Sequence, residues 1–243
     1  MKTLCKYVGG SHLYGMNTPE SDIDERGVFM NTDPLYVYGF HRLDNQVKQT
    51  AEEDVVMHEL SQFLKLATKS NTQTLECLFA PSDAFTFLDG DFHDIVITEK
   101  FRFLNTDQLF KSLEGYLYNE MRLALGERTG LLGSKRKNDI EKYGFSPKNF
   151  SHLFRLAASG IHFFKFGVYP VRIIDFNEEM HDLCMDVKTN PSYYDKELLE
   201  ATALRLRADM RASYAVMDER NKYFPDTVYV GEVLHHFYDS IIF

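Results

Sequence analysis

The stretch Gly9-Gly10-Ser11-His12-Leu13-Tyr14-Gly15, followed after a short turn by Ser21-Asp22-Ile23-Asp24, decides how the rest of the chain is read. Ahead of it, Leu4-Cys5-Lys6-Tyr7-Val8 reads as a strand, and Gly9-Gly10 lets the backbone turn freely where that strand ends. Asn17-Thr18-Pro19-Glu20-Ser21 is a turn by composition, and a second strand is expected from Asp22 through Met30. Residues i and i+2 of a strand face the same side, about 6.6 Å apart at roughly 3.3 Å per residue. Asp22 and Asp24 would then present two carboxylates to one face. Such a pair repels itself unless positive charge lies between the two. Two Mg²⁺ ions, with Mn²⁺ as the alternative, about 3.5 to 4 Å apart would answer that need, because they accept carboxylate and phosphate oxygens together. Gly10 permits close approach of a phosphate, Ser11 adds a hydroxyl, and the following N–H groups can form an anion-binding nest. Asp-x-Asp alone is usually a solvated strand end, and Gly-Ser alone a turn. Their conjunction is what points to phosphoryl transfer.

Outward from this segment, Pro34 interrupts before Leu35-Tyr36-Val37-Tyr38, and Asp54-Val55-Val56-Met57 is a third β-rich run. Leu60, Phe63, Leu64 and Ala67 switch to helical spacing. Beyond residue 100 the chain reads as helical, with a stripe of Leu109, Leu113, Tyr116, Leu117 and Met121. An exposed loop is expected from Gly130 to Asn138, then a helix from Pro147 towards Gly167, since proline lacks only an N–H that the first helical turn leaves unused. Two more helices are expected, from Glu197 to about Arg220 and from Val230 to Phe243. The fold class is α+β: a small mixed sheet with flanking helices over residues 1–100, then a helical domain over 101–243 that closes a nucleotide cleft.

Bulk composition narrows the classes. The net charge of −9 repels polyanions, so a broad nucleic-acid binder is not expected, although a local basic patch could still receive an RNA end or a triphosphate. No apolar run approaches the roughly 18 to 20 residues of a membrane span, and the first residues lack the apolar core of a secretory signal. Cys5, Cys77 and Cys184 are too scattered for a disulfide framework or a zinc cluster, which makes them small core residues and the reducing cytoplasm the default compartment.

Gly10-Ser11-x-x-Tyr14-Gly15 with Ser21-Asp22-x-Asp24 resembles the nucleotidyltransferase signature of the DNA polymerase beta superfamily. Within it, the chain is similar to the stand-alone nucleotidyltransferases of bacteria and phages, some associated with RNA repair. The likeness continues through Asp24-Glu25-Arg26-Gly27-Val28, Asp54 to Leu60 and Asn71 to Phe79, with a later echo at Lys148, His152, Arg155 and Leu156. The resemblance implies two Mg²⁺ ions and an NTP substrate. It leaves the acceptor open among nucleic acid, protein and small molecule. A third carboxylate is expected from a neighbouring strand; Asp54 is the first choice and Glu59 the alternative, which could equally stabilise a helix N-terminus. Glu52 and Glu53 read as solvated surface.

Lys148, His152 and Arg155 are spaced i, i+4, i+7 on one helical face. They read either as a platform contacting the triphosphate or base, or as a solvated basic stripe. His12 reads as a phosphate contact or a surface residue, and Arg26 first as a local partner of an acid, second as a nucleotide ligand. Lys135-Arg136-Lys137 is a solvated turn, or the path of an RNA backbone if the acceptor is RNA. The expected catalytic and metal-binding set is therefore Asp22, Asp24 and Asp54, with Gly10, Ser11, Lys148, His152 and Arg155 binding nucleotide. The expected reaction moves an NMP from an NTP to a hydroxyl, an RNA end being favoured. A protein-modifying enzyme and a catalytically silent binding module are the alternatives.

Overall fold

A computed structural model describes residues 1–41, 46–49, 54–128 and 133–242. The elements run β1 (Lys2–Gly9), α1 (Gly10–Leu13), β2 (Asp24–Met30), α2 (Pro34–Val37), β3 (Gln46–Gln49), β4 (Asp54–Glu59), α3 (Leu60–Ala67), α4 (Thr72–Leu78), β5 (Phe85–Leu88) and the single turn α5 (Gly90–Phe92). Helices then follow as α6 (Thr106–Ala124), α7 (Ser134–Tyr143), α8 (Pro147–Phe166), α9 (Glu178–Thr189), α10 (Lys196–Ala215) and α11 (Thr227–Ile242). The fold is α+β, as expected. The sheet order is β3-β4-β2-β1-β5, mixed because β2 and β4 are parallel while the other pairs are antiparallel.

The chain divides into two compact units, Met1–Leu109 with Tyr223–Phe243, and Phe110–Lys222. The C-terminal helix thus belongs with the sheet unit rather than with the helical segment that precedes it. Its attachment is polar as well as apolar. Tyr229 donates to the Ile95 carbonyl, Arg102 pairs with Asp226 at 2.6 Å, and Tyr238 donates to Glu59. In the first unit, Leu4 and Cys5 of β1, Val28 and Phe29 of β2, and Leu60, Phe63 and Leu64 of α3 are all buried. Cys5 and Cys77 are buried thiols 3.8 Å apart, and Cys184 is also buried and unbridged, so the three cysteines are core residues. In the second unit, α8 buries Phe150, Leu153, Phe154, Ala157 and Phe163, and Gly167 caps it in the left-handed conformation at φ 76°.

Several boundaries differ from the sequence reading. The second strand begins at Asp24, leaving Asp22 outside it. Ser134–Tyr143 is a helix rather than a loop, although it has no buried residues and so carries no apolar stripe to announce it. Residues 34–37 form a short helix that Asp33 caps through the Leu35 N–H, with Pro34 in its first turn. The helix expected to reach Arg220 stops at Ala215. Glu52, Glu53 and residues 130–132 lie outside the described residues. Among the described residues, no helix is long and apolar enough to cross a membrane.

Candidate active site

The site is assembled where β1 ends and β2 begins. The antiparallel register sets Gly9 opposite Asp24, and the parallel register sets Asp24 beside Asp54 at the head of β4. Between them the chain leaves β1 through Gly10, whose φ of 59° lies in the left-handed region that glycine adopts without cost. A β-carbon at position 10 would lie 1.7 Å from Asp24 Oδ2, so the glycine is required by space as well as by torsion. The segment that follows is pinned at both ends. Tyr14 donates to Glu76 of α4 at 2.6 Å, and the Thr18 N–H donates to Ser21 Oγ at 2.8 Å in the expected turn. Ser11 and His12 lie in α1, half-buried, with His12 Nε2 3.4 Å from the Ser21 carbonyl.

Arg26 lies two residues beyond Asp24 and therefore on the same face of the sheet. Its Nη2 donates to Asp24 Oδ1 at 3.1 Å and to Asp54 Oδ2 at 3.2 Å. Its Nη1 donates to the Asp54 carbonyl at 3.1 Å and the Glu25 carbonyl at 3.3 Å. Burial works against its charge, but the hydrogen bond to Asp54 and the charges of Asp24 and Asp54 outweigh it and raise the arginine's pKa. Gly9 makes room for this side chain, since a β-carbon there would meet Arg26 Cγ at 2.6 Å. His58 shares the face; burial, then the Arg26 charge, lower its pKa.

The two acids of the Asp-x-Asp pair are thus unequal. Asp24 is partly buried in the strand, whereas Asp22 is exposed on the approach to it. Asp54 joins Asp24 through the shared arginine. Glu59 does something else: it is fully buried opposite Phe29 at the far end of β4, about 16 Å along the strand from Asp54. There it caps α3 through the Ser61 N–H at 2.8 Å and accepts from Tyr36 at 2.5 Å, from Ser61 Oγ and from Tyr238. Burial and the Glu59 hydrogen bond push the Tyr36 hydroxyl up to about 12. Among the described residues no three His, Cys, Asp or Glu side chains converge as a ready metal cluster. The donors of Asp24 and Asp54 nevertheless suit a hard divalent cation, being carboxylate oxygens on adjacent strands that already share one positive group.

In the helical unit, Lys148 is exposed and His152 half-buried, but Arg155 has no exposed surface, which removes the solvated-stripe reading for it. Burial, then the charges of Arg155, Arg136 and Lys148, push His152 down to about 3, so its imidazole is neutral near pH 7. Glu120 lies in the field of Arg136 and Arg155 and accepts from Asn149 at 2.7 Å. Lys135 is exposed on α7 and Arg136 half-buried there.

A model of the RNA repair pathway DNA polymerase beta family (RlaP) matches residues 1–219. The chain is 29% identical over 144 residues to the "Uncharacterized 38.9 kDa protein in nrdC-mobD intergenic region" of Enterobacteria phage T4, a match covering 56% of this chain. It spans only 41% of that phage protein's length. A solved nucleotidyltransferase-like protein from Exiguobacterium sibiricum 255-15 aligns over 98% of this chain and 74% of its own, at 10% identity and a TM-score of 0.33.

Proposed function

The chain belongs to the RNA repair pathway DNA polymerase beta family, and on that premise we propose that it is a metal-dependent nucleotidyltransferase acting on a hydroxyl of an RNA end. The observation that carries this reading is the placement of Asp24 and Asp54 side by side on β2 and β4, with the Asp24 carboxylate against Gly10. Asp24 and Asp54 would hold the divalent ions, with Asp22 reaching them from the approach to the strand. When bound, such ions neutralise triphosphate charge and polarise the phosphorus under attack. Gly10 admits the phosphates close to the backbone, and the Ser11 hydroxyl donates to one of their oxygens. Asp54 accepts the proton of the attacking hydroxyl as its oxygen bonds to the α-phosphorus. The bond from that phosphorus to its bridging oxygen breaks, and pyrophosphate leaves. Lys148 remains the proposed phosphate contact of the helical unit; of its two companions, His152 is neutral near pH 7 and Arg155 has no exposed surface.

The test is incubation of the protein with Mg²⁺, each of the four α-labelled NTPs and total cell extract, followed by fractionation. Label on RNA, with pyrophosphate released and both lost in Asp22→Asn and Asp24→Asn, is the expected result. Label confined to protein would move the acceptor, and near-wild-type pyrophosphate release by Asp24→Asn would refute the mechanism.

A further inference from the structure

The two carboxylates assigned to the metal ions are engaged by a cation that belongs to the chain. One nitrogen of Arg26 donates to both Asp24 Oδ1 and Asp54 Oδ2, and the other reaches two backbone carbonyls of the same strands. This is a built arrangement and not a surface contact. The three side chains keep only 23 to 29% of their surface exposed. The absence of a β-carbon at Gly9 leaves space for the arginine stem, and its absence at Gly10 leaves space for the Asp24 carboxylate. Two neighbouring glycines are thus shaped around one ion pair. A guanidinium is always charged and binds carboxylate through fixed donors. An ion coordinated by the same oxygens would have to break those donors' bonds and stand close to a like charge.

We propose that Arg26 is a resident counter-cation of the active site, which holds Asp24 and Asp54 together and which a divalent ion must displace from them to bind. The proposal rests on the reading of Asp24 and Asp54 as metal ligands. It makes Arg26 a positioning residue that sets the affinity of the site for metal: the arginine relieves the repulsion between the carboxylates and in doing so weakens binding of the free ion.

The experiment is a Mn²⁺ titration of the full, EDTA-stripped chain, followed by the electron paramagnetic resonance signal of the free aquo ion. Arg26→Met, which keeps the length of the stem and removes the charge, is expected to bind Mn²⁺ at least about tenfold more tightly than wild type. It should also melt at a lower temperature than wild type without metal and gain more from Mn²⁺. Arg26→Lys, which keeps the charge but cannot bridge both acids, should fall between the two. Equal or weaker Mn²⁺ binding by Arg26→Met overturns the proposal, because the arginine would then be a scaffold for the ion and not its competitor. If Arg26→Met does not fold, Arg26→Lys decides, and an affinity no higher than wild type overturns it. Adding Asp24→Asn to the tighter-binding variant separates the two levels. Loss of Mn²⁺ binding there supports both, whereas unchanged binding places the ion elsewhere and refutes the metal-ligand reading together with this proposal.

Discussion

Replacing Gly10 by alanine tests the steric logic of the site, because the chain carries its own control. Gly10 and Gly39 both have left-handed torsions, φ 59° and 79°, but a β-carbon at Gly39 would have nothing within 4 Å. Gly39→Ala therefore reports torsional strain alone, roughly 1 to 2 kcal/mol, less about 0.4 to 1 kcal/mol for the stiffer unfolded chain. Gly10→Ala carries the same strain and in addition drives a methyl to 1.7 Å from Asp24 Oδ2 and 2.8 Å from its Cγ. Neither atom can stay, so Asp24 must rotate and surrender its 3.1 Å bond from Arg26. A charge-assisted bond of that kind is worth about 1.5 to 3 kcal/mol. The expected loss is thus about 1.5 to 4.5 kcal/mol at position 10, against no more than about 1.6 kcal/mol at position 39, where no bond is lost. Urea denaturation of the four proteins in a Gly10→Ala and Asp24→Ala cycle isolates the excess, which should appear as a coupling of at least about 1.5 kcal/mol. Nucleotidyl transfer should be lost in Gly10→Ala and unaffected in Gly39→Ala. A coupling below about 0.5 kcal/mol, or an active Gly10→Ala protein, would show that Asp24 is not seated under the glycine.

Three further outcomes are expected. Asp54→Ala should abolish transfer while leaving the fold nearly intact, whereas Glu59→Ala should cost about 2 to 4 kcal/mol by stranding two tyrosine hydroxyls and a helix end; urea melts beside transfer assays would expose the reverse ranking. Arg155→Ala should lower stability by about 3 kcal/mol, the cost of emptying a wholly buried charged position, and isothermal titration should find NTP affinity unchanged. His152 ties stability to pH: its pKa is about 3 when folded and near 6.5 when unfolded, so between those values the unfolded chain binds more protons. Its contribution is complete above about pH 6.5 and is lost as the pH falls towards 3, at no more than about 1.4 kcal/mol per unit, less for its partial exposure. Subtracting the stability profile of His152→Gln from that of wild type should leave this slope, and parallel profiles would rule it out.

What could be read from the chain follows physical rules that act locally. Gly9-Gly10 ending a strand, Pro147 and Gly167 bounding α8, and the apolar face of α3 each carry their signal within a turn or two of chain. The misreadings share a different cause. β5 is a four-residue strand at the edge of the sheet, paired among the described residues with β1 alone, and its two middle residues stay exposed, so no buried face marks it. The exposed α7 has no core face to impose periodicity, and its run Lys135-Arg136-Lys137 looks like a loop for that reason. Asp22 fell outside the strand because strand pairing begins at the Gly9–Asp24 register, a constraint set by a strand that lies earlier in the chain and not by the residues around Asp22. Lys148, His152 and Arg155 do share a helical face, but spacing cannot report depth, and the last of the three points into the core.

Asp54 and Glu59 show why an acid's role is decided by register and burial more than by its identity. Both lie on β4, at its two ends, and both follow or precede apolar residues that make either one a plausible metal ligand by sequence. Their positions differ by five, an odd number, so in a regular strand they face opposite sides of the sheet. The parallel register with β2 then gives Asp54 a carboxylate neighbour, and Arg26 on the shared face gives both acids one donor. Glu59 has Phe29 as its neighbour and no exposed surface, and a helix N-terminus and three hydroxyls supply the hydrogen bonds that such burial demands. A metal ion at Glu59 would have to displace that whole set and enter a closed core. At Asp54 it meets a half-buried carboxylate held by Arg26, which is the physical ground for proposing the chemistry at one end of the strand, with the structural anchor of the C-terminal helix at the other.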